Sequence, residues 1–62
     1  MDQNEKAQLV SLRTRLVEVQ TGLLLNAAGN SALPSTNELR RIADIESVIG
    51  AIEALLDMNS GK

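Results

Sequence analysis

The side chains that could attack a substrate in this sequence are hydroxyls and amines, because the chain contains no cysteine and no histidine. A serine or threonine hydroxyl becomes a nucleophile only beside a base, and the imidazole that usually serves is missing. The same absences remove the thiolate and imidazole ligands that zinc and copper prefer. We therefore expect no enzymatic activity, no metal site and no cofactor. None of the candidate nucleophiles has a recognisable activating partner nearby in the sequence; they are Ser11, Ser31, Ser35, Ser47, Ser60, Thr14, Thr21, Thr36 and the lysines.

Charged residues are nearly balanced along the chain. Six basic and eight acidic residues give a net charge of −2, whereas a nucleic-acid-binding protein needs a clustered basic face and often stacking aromatics. Arg40 and Arg41 stand between Glu38 and Asp44, which largely cancel their field, and the chain has no aromatic residue. No apolar run approaches the ~20 residues of a membrane span, and the acidic N-terminus is unlike a signal peptide. We expect a cytoplasmic protein that binds no nucleic acid and has no membrane span.

The sequence predicts two helices joined by one loop. Residues 29–35 contain the only proline of the chain and a Gly-Asn pair, which is typical of a loop. The sequence predicts a single domain over residues 1–62, with a helix at about 3–28, a loop at 29–35 and a helix at about 36–57. We expect the last residues, from Asn59 to Lys62, to form a frayed tail.

Residues at the predicted helix ends match known capping patterns. Ser35 and Glu38 have the spacing of a capping box, in which the hydroxyl accepts a hydrogen bond from a backbone amide and the carboxylate reaches back. Asp2 and Glu5 repeat that spacing at the start of the first helix. Gly29 suits the left-handed backbone position just after a helix end.

Apolar residues recur at alternating steps of three and four in both predicted helices, as in a coiled-coil seam. Antiparallel packing pairs positions whose residue numbers have a constant sum. Residues 9 and 56, 16 and 49, and 23 and 42 all give 65. The sequence therefore predicts an all-α fold, an antiparallel two-helix hairpin. Its seam consists of Leu9, Leu12, Leu16, Val19 and Leu23 in the first helix and Ile42, Ile45, Ile49, Ile52 and Leu56 in the second.

Gly22, preceded by Thr21, is the weak point of the first helix. It marks a kink, a close contact or the true end of the helix. If the helix ends there, residues 23–26 become extended and the fold is α-β-β-α. Leucine and alanine are weak strand formers, so the hairpin is favoured.

Polar residues run beside the seam on both helices. Arg13 with Glu53 and Gln20 with Glu46 share the sum 66, so each pair is expected to lie side by side. The favoured interpretation is an ion pair and a hydrogen bond that fix the register, each worth about 0–1 kcal/mol. The alternative is a polar element that selects partners inside a larger bundle.

Each helix carries more apolar surface than one seam needs, and a lone pair of helices buries only its facing stripes. We expect the excess to bind protein, through self-association or a partner helix. Gly50 supports such a contact. A mid-helix glycine costs about 1 kcal/mol relative to alanine, and the close approach of another helix at that position offsets the cost. The predicted partner-binding residues are Val10, Val17 and Leu24 in the first helix, Val48 and Leu55 on one side of the second, and the small row Ala43, Ser47, Gly50 and Ala54 on another.

Two segments resemble the YscE/PscE group of small type III secretion needle co-chaperones. They are residues 45–52, Ile-Glu-Ser-Val-Ile-Gly-Ala-Ile, and residues 12–16, Leu-Arg-Thr-Arg-Leu. The resemblance implies a larger helical-repeat chaperone as partner and a needle subunit as client, with contacts around Ile45, Ile49, Ile52 and Leu56. The longer loop with Pro34 departs from that group.

The sequence thus favours a non-enzymatic helical hairpin that binds partner helices, most specifically as such a co-chaperone. The alternative is a self-assembling small phage or plasmid protein whose dimer is a four-helix bundle. The dimeric Rop hairpin is similar in length and architecture, although its basic and aromatic RNA face is missing here.

Overall fold

The chain folds into two α-helices that pack against each other as a hairpin. A computed structural model describes residues 1–60, with side chains to residue 58. Helix α1 spans Gln3–Gly29 and helix α2 spans Thr36–Ser60. The predicted all-α hairpin is confirmed, and residues 1–60 contain no strand.

The α-β-β-α alternative is wrong, because α1 continues through Gly22. One interior glycine weakens a helix by about 1 kcal/mol but does not end it. Leu23, the next residue, is half-buried in the hairpin, and packing of this kind supplies most of the stability of a helix in a protein.

Both helices begin at the predicted capping boxes. The Glu5 amide donates to Asp2 Oδ1 at 2.7 Å, and the Asp2 amide donates to Glu5 Oε1 at 3.2 Å. At α2 the Glu38 amide donates to Ser35 Oγ at 3.1 Å, and the Ser35 amide donates to Glu38 Oε1 at 3.0 Å. Each box satisfies amides that would otherwise lack a partner in the first helical turn.

The helix ends differ from the prediction. Gly29 is the last residue of α1 and does not adopt the left-handed conformation. Asn30 ends the helix instead, with extended backbone; its amide donates to Ala27 O at 3.2 Å and its Nδ2 to Asn26 O at 3.1 Å. Helix α2 runs to Ser60, past the predicted end near 57, so the first half of the expected tail is helical. Gly61 and Lys62 lie outside the described residues.

The interior of the hairpin is thin. Among the described side chains, Ile49 and Ile52 are the buried apolar ones, at 5% and 4% exposure. The predicted α2 seam is confirmed, since its other three members are half-buried. Four of the five predicted α1 seam residues are half-buried as well, and the exception is Val19, which is 46% exposed.

The exposure of Val19 corrects the predicted seam. Helix α1 is rotated about its axis so that Gln20, rather than Val19, turns toward α2. Gln20 is half-buried and its Nε2 donates to Glu46 Oε1 at 2.8 Å. Arg13 and Ala27, seven residues away on either side, are half-buried too. Residues seven apart lie on nearly the same line of a helix. Arg13, Gln20 and Ala27 therefore form one edge of the α1 surface that packs against α2.

Candidate interaction surfaces

The Gln20–Glu46 hydrogen bond marks one side of the hairpin. On a helix surface, residues three and four apart are neighbours. Leu16 and Leu23, two neighbours of Gln20, turn toward α2, so its other two neighbours, Val17 and Leu24, lie on the outer side of the bond. The same reasoning at Glu46 places Ala43 and Gly50 outside it on α2. We call this surface the Val17 side; it comprises Val10, Val17, Leu24, Ala43 and Gly50, all of them exposed. Ser47 and Ala54 lie on the back of α2, because each is two residues from a buried isoleucine and therefore about 200° around the helix from it.

The opposite side of the hairpin carries a second apolar surface. Val48 lies next to the seam residues Ile45 and Ile52, on the side of them that faces away from α1. Leu55, seven residues later, continues the same row. On α1, Val19 and Leu12 lie on this same side of the hairpin, opposite the side marked by the Gln20–Glu46 hydrogen bond. Val19, Val48 and Leu55 are 46%, 45% and 45% exposed. We call this surface the Val19 face; it comprises the exposed Val19, Val48 and Leu55 and the half-buried Leu12 and Ile45.

An open groove occupies the end of the Val19 face near the chain termini. Its volume is about 690 Å³. Leu55 of α2 lines it together with Leu12 and Arg15 of α1, which confirms that Leu55 and Leu12 share one side. The remaining lining residues are Met1, Glu5, Gln8 and Leu9.

The two surfaces differ in polarity. On the Val17 side a polar line separates the valine row from the small-residue row, since Gln20 and Arg13 lie between them with Glu46 and Glu53. The charged residues of the Val19 face lie elsewhere: Arg15 and Glu5 line its groove, and Arg41 stands seven residues before Val48, on the same line of α2. The predicted Gln20–Glu46 pair is formed, while Arg13 and Glu53 make no hydrogen bond or ion pair with each other in the described part of the chain.

The nine predicted partner-binding residues are all exposed, but the fold does not bring them together. Five lie on the Val17 side, Val48 and Leu55 lie on the Val19 face, and Ser47 and Ala54 lie on the back of α2. Sequence reasoning missed Val19 because heptad spacing assigned it to the seam. The signal that could have found it was the Gln20–Glu46 pairing, since a side chain that reaches across to α2 must turn Val19 outward.

Two expectations about contact residues need adjustment. The resemblance to needle co-chaperones implied contacts around Ile49 and Ile52, yet both are buried against α1. The exposed apolar residues at that part of α2 are Val48 and Leu55. The small row around Gly50 is not a close crossing within this chain, because nothing lies within 4 Å of a β-carbon added there.

The described residues contain no group of three carboxylate, imidazole or thiolate side chains placed to hold a metal ion. Within the same residues, neither helix has an apolar stretch able to cross a bilayer. The fold thus defines an all-α helical hairpin with two apolar surfaces. Comparison with protein-family models, with curated proteins and with solved structures finds no match.

Proposed function

We propose that this protein is a non-enzymatic interaction module whose hairpin binds helices of other protein chains. One observation carries the proposal: the chain exposes 4664 Å², whereas a compact chain of its mass exposes about 3,900 Å². The difference is close to the ~800 Å² that each partner buries in a standard protein interface.

The shape of the hairpin explains this excess. It extends 46 × 15 × 15 Å, and its radius of gyration is 14.4 Å, against about 11 Å for a compact domain of this length. A rod of two helices has no third layer to cover its flanks. Among the side chains of residues 1–58, eleven large apolar ones are exposed, including Val17, Val19 and Val48. Large contiguous apolar patches mark interaction sites in folded proteins.

The spacing of the exposed residues suits a helical partner. Val48 and Leu55 are seven apart on α2, as are Leu12 and Val19 on α1. An amphipathic helix that lies in a groove between two helices places its own anchors at steps of three, four and seven. The groove between these two rows therefore matches the anchor spacing of a third helix.

Within this class we propose the role of a secretion co-chaperone, as the resemblance of residues 12–16 and 45–52 implies. A larger helical-repeat chaperone then covers one apolar surface, and the two proteins together keep a needle subunit from aggregating. Co-expression with a needle subunit and the helical-repeat chaperone encoded beside it tests this role. We expect a stable ternary complex, and separate elution of the hairpin contradicts the role.

A paired substitution tests the module itself. Val17 and Val19 are two residues apart on α1, are 40% and 46% exposed, and lie on opposite surfaces. Val17→Asp and Val19→Asp therefore introduce the same charge at the same exposure on different sides. We expect one of the two variants to lose the partner while both keep wild-type helicity by circular dichroism. Equal binding by both variants contradicts the use of these surfaces.

The second candidate function is a self-assembling phage or plasmid protein that forms a dimeric four-helix bundle. The exposed side chains of Val19, Val48 and Leu55 favour it, because two hairpins that pair through such side chains share one apolar core.

A further inference from the structure

We infer that the partner helix of this hairpin is acidic on both flanks and lies along the Val19 face, where Arg15 and Arg41 pair with its carboxylates. This inference rests on the proposed function, since it assigns one of the two apolar surfaces to the partner and states the chemistry of that partner. It is carried by the sign and the position of the charges that border Val19 and Val48.

The cations that border the Val19 face come from both helices. Arg15 lines the groove together with Leu55, so its side chain lies on this face. Arg41 stands seven residues before Val48, on the same line of α2. Both arginines are exposed. Within residues 1–58, Arg15 makes one long hydrogen bond, from Nε to Ser11 O at 3.5 Å, and neither arginine forms an ion pair.

Three acidic residues lie near the same face, and none is placed to pair with an arginine. Glu5 and Glu38 each accept a backbone amide in a capping box, which holds their carboxylates at the helix starts. Asp44 is five residues from Ile49 and therefore about 140° around α2 from it, whereas Arg41 is about 80° around. Asp44 thus lies closer to the back of α2, and it forms no ion pair in the described part of the chain.

The Val17 side does not select an acidic partner in this way. Arg13 lies there, but so do Glu46 and Glu53, and Glu46 already accepts the hydrogen bond from Gln20. An acidic helix on that side would place its carboxylates against two others, and like charges that face each other across an interface exclude a partner. The acidic helix is therefore assigned to the Val19 face.

The two arginines lie on opposite edges of the Val19 face and are offset along the hairpin. Seam residues that face each other have numbers that sum to about 65, so Arg41 is level with Leu24, nine residues beyond Arg15. At 1.5 Å per residue this offset is about 14 Å. Residues nine apart in a helix are two and a half turns apart and point in opposite directions. A helix that lies between the arginines therefore directs carboxylates about nine residues apart toward one arginine each.

An apolar centre with charges at its rim is the usual arrangement of a specific interface. Val19, Val48 and Leu55 supply the exposed apolar centre. A guanidinium binds a carboxylate through two parallel hydrogen bonds, which adds geometric selection to the charge. Rim charges affect the choice of partner and the rate of association more than affinity, so discrimination between partners is the property to measure.

Three synthetic helices of about 20 residues test the chemistry of the partner. Each carries a leucine row at steps of three and four. Two flanking positions nine apart hold glutamate in the first peptide, glutamine in the second and lysine in the third. Fluorescence anisotropy of the labelled peptides measures their binding to the full chain.

We expect the glutamate peptide to bind at least about tenfold more tightly than the glutamine peptide, and the lysine peptide to bind most weakly. The order should disappear in 1 M salt, where the screening length falls to about 3 Å. Equal binding of the three peptides, tightest binding of the lysine peptide, or no binding of any peptide overturns the inference.

Arg41→Glu and Arg40→Glu form a matched pair of hairpin variants. Both positions are exposed and adjacent, but Arg40 is nine residues from Ile49 and lies on the back of α2. We expect Arg41→Glu, like Arg15→Glu, to weaken the glutamate peptide at least about tenfold and to favour the lysine peptide, while Arg40→Glu changes binding less than about threefold. Far-ultraviolet circular dichroism controls for folding. Equal losses in Arg40→Glu and Arg41→Glu show an effect of net charge alone and overturn the inference.

Vesicles that contain phosphatidylserine test the competing occupant, because arginines beside apolar residues also bind anionic lipid surfaces. Binding of the hairpin to these vesicles, lost in Arg41→Glu and unmatched by any peptide, overturns the acidic helix in favour of a membrane surface. A partner chain that binds the wild type and Arg41→Glu equally overturns this inference and supports the proposed function. A wild type that binds no peptide and no protein encoded beside it overturns both.

Discussion

Ile49→Ala measures how much of the fold depends on the thin interior. Ile49 is 5% exposed at the centre of the α2 seam, and the substitution removes three carbon groups. At about 0.8 kcal/mol for each buried group, the lost transfer free energy is about 2.4 kcal/mol. Large-to-small substitutions of buried isoleucine cost about 2–5 kcal/mol once the cavity is included. We expect the lower end, about 2.5–3 kcal/mol, because the half-exposed neighbours can move into the gap.

That loss is large for a chain of this size. A domain of 62 residues has a free energy of unfolding of about 3–9 kcal/mol, so the variant loses a third of it or more. The midpoint of thermal unfolding should fall by roughly 10–20 °C. Urea and thermal melts followed by circular dichroism at 222 nm, at one fixed protein concentration, measure both quantities, because association shifts apparent stability.

Leu25→Ala is the matched control for Ile49→Ala. Leu25 is 68% exposed, loses the same number of carbon groups and belongs to neither named surface. Exposed substitutions of this kind change stability by less than about 0.5 kcal/mol. If Ile49→Ala costs no more than Leu25→Ala, the helices do not pack along the described seam. Ile49→Asp is the harsher form, and a native-like melt of that variant refutes the seam as well.

Three further substitutions test the cap, the small row and the polar pair. Ser35→Ala should lower the free energy of unfolding by about 1 kcal/mol, because the Glu38 amide loses its acceptor; an unchanged urea midpoint contradicts the capping box. Gly50→Ala should raise it by about 1 kcal/mol, since space around the added β-carbon is open; a lowered melting temperature shows that another chain lies against the row. Gln20→Ala should cost about 0.5–1.5 kcal/mol through loss of the bond to Glu46, and a double-mutant cycle with Glu46→Ala should return a coupling that vanishes if the bond is absent in solution.

The predictable part of this fold is the part that local chemistry decides. The boxes at Asp2 and Ser35 depend on side chains three residues apart, so their spacing alone identified where both helices begin. The α2 seam followed from an isoleucine ladder with no polar competitor at the same positions. In each case one interpretation satisfied the local hydrogen bonds and the apolar spacing together.

The rotation of α1 was not predictable in the same way. Val19 and Gln20 are adjacent, and either can turn toward α2 while the leucine row at 9, 16 and 23 keeps its place. Burying valine gains apolar contact, whereas turning Gln20 inward gains the 2.8 Å bond to Glu46, and the two gains are of similar size. The outcome depends on the position of α2, which heptad spacing does not contain. The left-handed conformation expected at Gly29 was wrong for a related reason, since Asn30 supplies a side-chain cap that competes with a glycine turn.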